Sequence, residues 1–260
     1  MGDFLKSAAA LVLCGALALF LAGCGSKPAT RETLTLRAAD GAALAADLYL
    51  PEAPSPPALI LAHRLGGDRS VWGGFPEFMR RAGYMVIAPD LRGHGGSATA
   101  PFGSPEAAAK GPGGWTAALA DLDAARKALL EKGASPDNLA VAGEELGAAL
   151  ALLYARREPS MQAVILLSPG MNQHGLDSES AIRELDDCPV LLAVAQNDAY
   201  ADTSAAALKA AAPAFAELQR YSGAAHGADL FAAHPDAMGQ VLEWLRPIIG
   251  KDGPKPGKGD

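Results

Sequence analysis

The chain alternates short, mostly apolar runs with longer stretches in which apolar residues recur every three or four positions. The runs over 58–62, 84–88, 139–142, 163–167, 190–195 and 214–221 have the length and composition of strands, and most read as strands buried on both faces of a parallel sheet. Helical periodicity fills the intervals, around 75–82, 116–132, 145–157, 181–186, 204–211 and 235–249. Ahead of them, 33–37 and 44–50 flank Asp40-Gly41, a dipeptide suited to a tight turn, so an antiparallel hairpin is expected to open the sheet. The proline-rich stretch from Pro51 to Pro57 blocks further pairing. This order predicts an α/β fold: a mostly parallel sheet of about eight strands with helices on both faces and no internal repeat.

The two ends lack this pattern. Lys6 precedes an apolar run over 8–20 and then small residues, the build of a processed export signal. Leu21-Ala22-Gly23-Cys24 resembles the lipobox of bacterial lipoproteins. That resemblance implies a signal peptide over 1–23, lipidation of Cys24, a tether over 24–32 and anchoring in the cell envelope, with Ser26 of the kind that permits export to the outer membrane. An uncleaved anchor and an ordinary secretory signal remain open. The folded domain is expected over 33–250, followed over 251–260 by a Gly/Pro/Lys tail without apolar residues, which should be disordered.

Charge narrows the partners. With 22 basic against 29 acidic residues and no Lys/Arg run, the surface that dominates nucleic-acid affinity is missing. Two of the three cysteines lie within the first 24 residues, so the domain has no disulfide framework. Cys188, before Pro189 and an apolar run, reads as buried and inert.

In a parallel sheet, reactive groups belong in the loops at the carboxyl ends of the strands. Five exits are informative: His63-Arg64-Leu65-Gly66-Gly67, Pro89 to Ser97 with Asp90, Arg92 and His94, Gly143-Glu144-Glu145-Leu146-Gly147, Gln196-Asn197-Asp198, and Gly223-Ala224-Ala225-His226-Gly227. The third is a strand, tight turn and helix flanked by small residues.

This ordered set resembles the α/β-hydrolase family from about Leu34 to Ile249. The resemblance implies an esterase- or lipase-like fold without a large cap domain, an oxyanion hole drawing on Leu65 and Leu146, an acid at Asp198 and a general base at His226. Arg64 stands where a glycine is common. The larger departure is Glu145, at the position where the family's G-x-S-x-G motif has its nucleophilic serine. At neutral pH a glutamate has no proton for the histidine to take, and His226 is expected to be drawn into a pair with both Glu145 and Asp198. As an acyl nucleophile a carboxylate is poor. From the tetrahedral adduct it leaves in preference to an alkoxide by about ten pKa units, a bias of more than about ten kcal/mol toward reversal.

Three readings follow. In the first, Glu145 with His226 acts as general base on water, or another hydroxyl such as Ser168 serves as nucleophile; the simpler role for Ser168 is closing a strand-end turn. In the second, the chain is a non-catalytic ligand-binding or envelope interaction module. In the third, Glu145 attacks saturated carbon, as the aspartate of related dehalogenases and epoxide hydrolases does. The segment 98–114 is expected to rim an open pocket. His63, His94, Asp90 and Arg92 read as loop-arranging residues, Trp72, Trp115 and Trp244 as packing residues, and Glu144 as a helix-start carboxylate. His174 and His234 have no partner legible in sequence. No cofactor or metal is implied.

Overall fold

A computed structural model describes residues 30–99, 101–185, 187–212 and 215–250. The signal segment, Cys24, most of the tether and the tail lie outside the described residues. The strands are β1 (Arg31–Arg37), β2 (Ala43–Tyr49), β3 (Ala58–Ala62), β4 (Met85–Pro89), β5 (Leu139–Glu144), β6 (Met161–Leu167), β7 (Asn172–Gln173), β8 (Leu176–Asp177), β9 (Val190–Ala195) and β10 (Ala216–Tyr221). The helices are α1 (Phe75–Arg81), α2 (Pro105–Lys110), α3 (Leu119–Glu131), α4 (Leu146–Arg157), α5 (Ser178–Arg183), α6 (Ala199–Ala211), α7 (Asp229–Ala233) and α8 (Ala237–Leu245).

Eight strands form one sheet in the order β1-β2-β4-β3-β5-β6-β9-β10. Only β2 runs antiparallel to its neighbours, β1 and β4. The continuous apolar runs of β3, β4 and β9 are buried at every position, because both faces are covered. Leu122, Leu150, Ile182 and Leu208 pack the face under α3 to α6, whereas Phe75, Met79, Leu242 and Leu245 pack the face under α1 and α8. The chain adds β4 on one side of β3 and then returns to place β5 on the other. That reversal opens a crevice at the carboxyl ends of β3 and β5, and the loops carrying Leu65 and Glu145 meet there.

The elements depart from the sequence pattern in informative places. β1 begins at Arg31, two residues early, because its first residues pair by ladder with Leu48 and Tyr49 and by an Arg31–Asp47 contact of 2.6 Å rather than by apolar burial. The segment 98–114 contains α2, begun by Ser104, whose Oγ accepts from the Ala107 amide, with Pro105 in the first turn. Helix α6 starts at Ala199, directly after Asp198, instead of at 204. The two-residue strands β7 and β8 were too short for a periodic signal. Between β6 and β9 the described residues hold only this hairpin and α5, so no large cap is present.

The loop after β4 is held by buried charge. Arg92 and Asp121 are both fully buried; Asp121 accepts from the Arg92 backbone amide at 2.9 Å and from its guanidinium at 2.7 and 3.0 Å. Asp40 takes a further guanidinium hydrogen at 2.6 Å, and the Phe102 ring lies 4.8 Å beneath the charge. Removing one partner of such a pair leaves the other charged and desolvated. Asp121→Ala is therefore expected to lower unfolding free energy by about 3–5 kcal/mol, read from urea denaturation. Lys127→Ala, which breaks an exposed pair with Glu131, should change it by less than about 0.5 kcal/mol. Equal effects would contradict this account of the loop.

Candidate functional site

Between β5 and α4 the backbone turns on Glu145, at φ +49° and ψ −110°. A non-glycine residue resists that conformation, and the surrounding contacts impose it. A Cβ at Gly143 would stand 2.0 Å from the carbonyl oxygen of Gly147, and one at Gly147 would stand 2.0 Å from that of Ala62. Only glycines let α4 approach β5 and β3 so closely, and the bend follows from the approach. Residue 145 is thereby aimed into the crevice at the carboxyl ends of the strands.

The Glu145 side chain does not extend toward His226. It folds back so that Oε2 accepts from the Leu65 amide at 3.0 Å and the Leu146 amide at 2.7 Å. These are the two amides expected to form an oxyanion hole, and they converge on one oxygen. The other oxygen, Oε1, accepts from Nε2 of His174 at 2.8 Å. The expected pairing of Glu145 with His226 is thus corrected: no hydrogen bond or ion pair joins them, and His174 takes that place. His174 projects from the turn between β7 and β8, which the sequence pattern did not reveal.

Asp198 and His226 do meet. Asp198 ends the exit of β9 and His226 lies beyond β10, and the parallel pairing of those strands sets their exits side by side. Asp198 Oδ2 accepts from His226 Nδ1 at 2.7 Å. That bond fixes the ring, and Nε2 has no hydrogen-bond partner among the described residues.

Glu144 needs a second correction. It is not a helix-start carboxylate but the fully buried last residue of β5. Its Oε1 accepts from the Arg64 amide at 3.2 Å, and its Oε2 accepts from the Arg64 guanidinium at 3.1 Å and the Ala228 amide at 2.7 Å. One carboxylate therefore ties the loop after β3 to the loop carrying His226. The sequence signal was available in hindsight: a charged residue ending an apolar strand, and an arginine where the family tends to glycine. Ser168 is buried at φ +44°, and its Oγ accepts from the Gly227 amide at 2.9 Å. It closes the strand end against the histidine loop.

The remaining expectations resolve as loop chemistry. His63 is buried; its Nε2 accepts from the Leu91 amide at 2.9 Å and its Nδ1 donates to the Arg64 carbonyl at 2.7 Å. Burial pushes its pKa down to about 4, in keeping with the neutral tautomer these bonds require. His94 Nδ1 meets the Arg92 carbonyl, and Asp90 accepts from the Arg69 and Gly96 amides and pairs with the Arg69 guanidinium. Trp72 and Trp115 are buried, and Trp244 packs against the core from its edge. His234 meets the Ser222 carbonyl. Cys188 is half-buried rather than buried; its thiol donates to the Met161 carbonyl, and desolvation pushes its pKa up to about 12. Among the described residues no group of three or more His, Cys, Asp or Glu converges as metal ligands would.

Solved structures share the fold. The chain is similar to the esterase domain of a Rhodothermus marinus protein (20% identity, 85% of this chain and 99% of that one, TM-score 0.66). It is also similar to a highly thermostable carboxyl esterase from Bacillus coagulans (13%, 85% and 99%, TM-score 0.69). A third likeness is to the α/β hydrolase GrgF from Penicillium sp. sh18 (13%, 84% and 99%, TM-score 0.72). At these identities the likeness is one of fold. No curated protein sequence matches. The profile of the family described as "Serine aminopeptidase, S33" matches residues 54–185, half of the chain, and so takes in the loop of Leu65 and the bend at Glu145 but ends before Asp198 and His226. By that match, and by the sheet order that carries it, the chain belongs to the serine aminopeptidase S33 family of α/β-hydrolases.

Proposed function

We propose that this α/β-hydrolase has lost the ordinary serine route of acyl hydrolysis and acts as a lipid-anchored ligand-binding or interaction module of the bacterial envelope. One observation carries the loss of chemistry: a carboxylate oxygen of Glu145 lies 3.0 and 2.7 Å from the Leu65 and Leu146 amides. Acyl transfer needs those donors, about 2.7–3.1 Å from the oxygen that becomes negative in the transition state. Here a permanent side-chain oxygen fills that space. Expelling it gives up two charge-assisted hydrogen bonds, each about 1.5–3 kcal/mol, which corresponds to at least about a hundredfold in rate. The residue at the bend also has no hydroxyl for His226 to activate, and Ser168 is engaged with the histidine loop.

A second reading is favoured by a different feature of the same contact. Attack at saturated carbon uses one carboxylate oxygen while the other is held, and in Glu145 Oε2 is held by two amides while Oε1 is held by His174 alone, a side chain that must release it before attack. The Asp198–His226 pair is intact, as hydrolysis of the resulting ester intermediate requires. The absence of a large cap speaks against this reading, since the dehalogenases and epoxide hydrolases orient their substrates with one.

The envelope location rests on Leu21 to Cys24, in a segment outside the described residues. Among the described residues no helix is long and apolar enough to cross a membrane. Attachment through acyl chains on Cys24 would draw on about 0.8 kcal/mol per buried methylene.

A fluorophosphonate probe is expected to leave the wild-type protein unlabelled, and Glu145→Ser should gain both labelling and turnover of a short-chain aryl ester. Strong labelling of the wild type, at Ser168 or elsewhere, would overturn the proposal. For the saturated-carbon reading, single turnover in oxygen-18 water should deliver unlabelled, enzyme-derived oxygen into product; product carrying only solvent oxygen excludes it. In a bacterial host, Cys24→Ala should move the protein from the detergent-extracted membrane fraction to the soluble one, and unchanged fractionation would count against lipidation.

A further inference from the structure

The β7–β8 hairpin is four paired residues around a two-residue turn, with Asn172 opposite Asp177 and Gln173 opposite Leu176. Its central residues, His174 and Gly175, have φ of +53° and +86°. Such turns take Asn-Gly or Gly-Gly by preference, because both positions need positive φ. A histidine is therefore the costlier choice for the turn itself, and among the described residues its imidazole makes one hydrogen bond, at 2.8 Å between Nε2 and Glu145 Oε1. The hairpin is tied at its other side by Tyr200, whose hydroxyl donates to the Asn172 carbonyl at 3.3 Å, two residues beyond Asp198.

We propose that His174 is the positioning residue that locks Glu145 into the oxyanion hole, the hairpin serving as a bolt across the site. The inference rests on the reading that Glu145 fills the hole. The carboxylate has three hydrogen bonds on its two oxygens, two from backbone amides that the fold fixes and one from a side chain that can leave. With Nε2–H directed at Oε1, the carboxylate cannot rotate without breaking the third bond. The bolt is reachable from outside: the imidazole is about one-third exposed and lines an open cavity of about 490 Å³, whose other walls include Gly113, Trp115, Thr116 and Leu176. His174 is the one titratable side chain in that lining.

The test uses substitutions that suit the turn, His174→Asn and His174→Gly, beside Glu145→Gln, with amide proton exchange and chemical shifts of Leu65 and Leu146 read by NMR in the otherwise intact protein. Glu145→Gln is expected to move both amide resonances. His174→Asn and His174→Gly should speed exchange at those two amides about tenfold, the loss of one charge-assisted hydrogen bond, while the interior amides of α4 and the melting temperature stay as in the wild type. If Glu145→Gln moves the resonances but neither His174 variant changes their exchange, the bolt is refuted and the filled hole stands. Should Glu145→Gln leave both resonances in place, the filled hole itself is refuted and the bolt with it. A uniform acceleration across the hairpin and α4 would mark His174 as merely structural and equally overturn the proposal.

Discussion

The site depends on a backbone approach that excludes every side chain. Because Gly143 and Gly147 let α4 close onto β5 and β3, residue 145 has one conformation available, and the amide of Leu146 must point where the side chain of 145 also points. The reversal of strand order at β3 and β5 then sets the Leu65 amide opposite. Two amides and the start of a twelve-residue helix make that spot attractive to negative charge. A serine oxygen, one bond from Cβ, is too short to fold back onto these donors and stays free to meet a substrate. A glutamate oxygen, two bonds further out, reaches them. The bend therefore delivers a carboxylate onto the Leu65 and Leu146 amides, where a shorter side chain would not reach.

Two adjacent carboxylates at the end of one strand would repel if they shared donors. Alternation along the strand and the bend after it separate them: Glu144 turns inward to Arg64 and Ala228, Glu145 outward to Leu65, Leu146 and His174. Each has its own set of donors, so neither charge is left uncompensated. The inward one has an organising effect. By joining the loop after β3 to the loop after β10, Glu144 holds the hole and His226 in a fixed relation, and Ser168 adds a second tie to the histidine loop. The scaffold around the bend is thus preorganised.

Most of this was legible from sequence because parallel strands buried on both faces write continuous apolar runs, and their exits are then countable. The exits located the loops of Asp198 and His226 and of Leu65 and Leu146, and the α/β-hydrolase resemblance is what implied their pairing. The direction of the Glu145 side chain could not, since it depends on a competition among donors that only the folded chain brings together. His174 left no trace because a hairpin of two-residue strands is below the length at which periodicity is read. Its one local signal was the His-Gly pair, a turn dipeptide with an unusual first member. Glu144 departs from the expectation for a related reason: β5 runs two residues past its apolar stretch, through Gly143 to Glu144, so a charged residue belongs to β5 rather than to α4.

The hydrogen bond between His174 and Glu145 Oε1 separates the two functional readings physically. An oxygen that accepts from His174 has its electron density drawn toward that proton, which makes it a weaker nucleophile. Nucleophilic attack at saturated carbon therefore needs Oε1 released while Oε2 stays with the amides. A binding role needs the reverse, a carboxylate fixed at both ends that presents a rigid, negatively charged floor to whatever enters. The geometry has both ends fixed. A retained Asp198–His226 pair does not weigh against this, because the bond that orients His226 is made within loops that Glu144 and Ser168 already hold, and it persists whether or not the imidazole has a proton to accept.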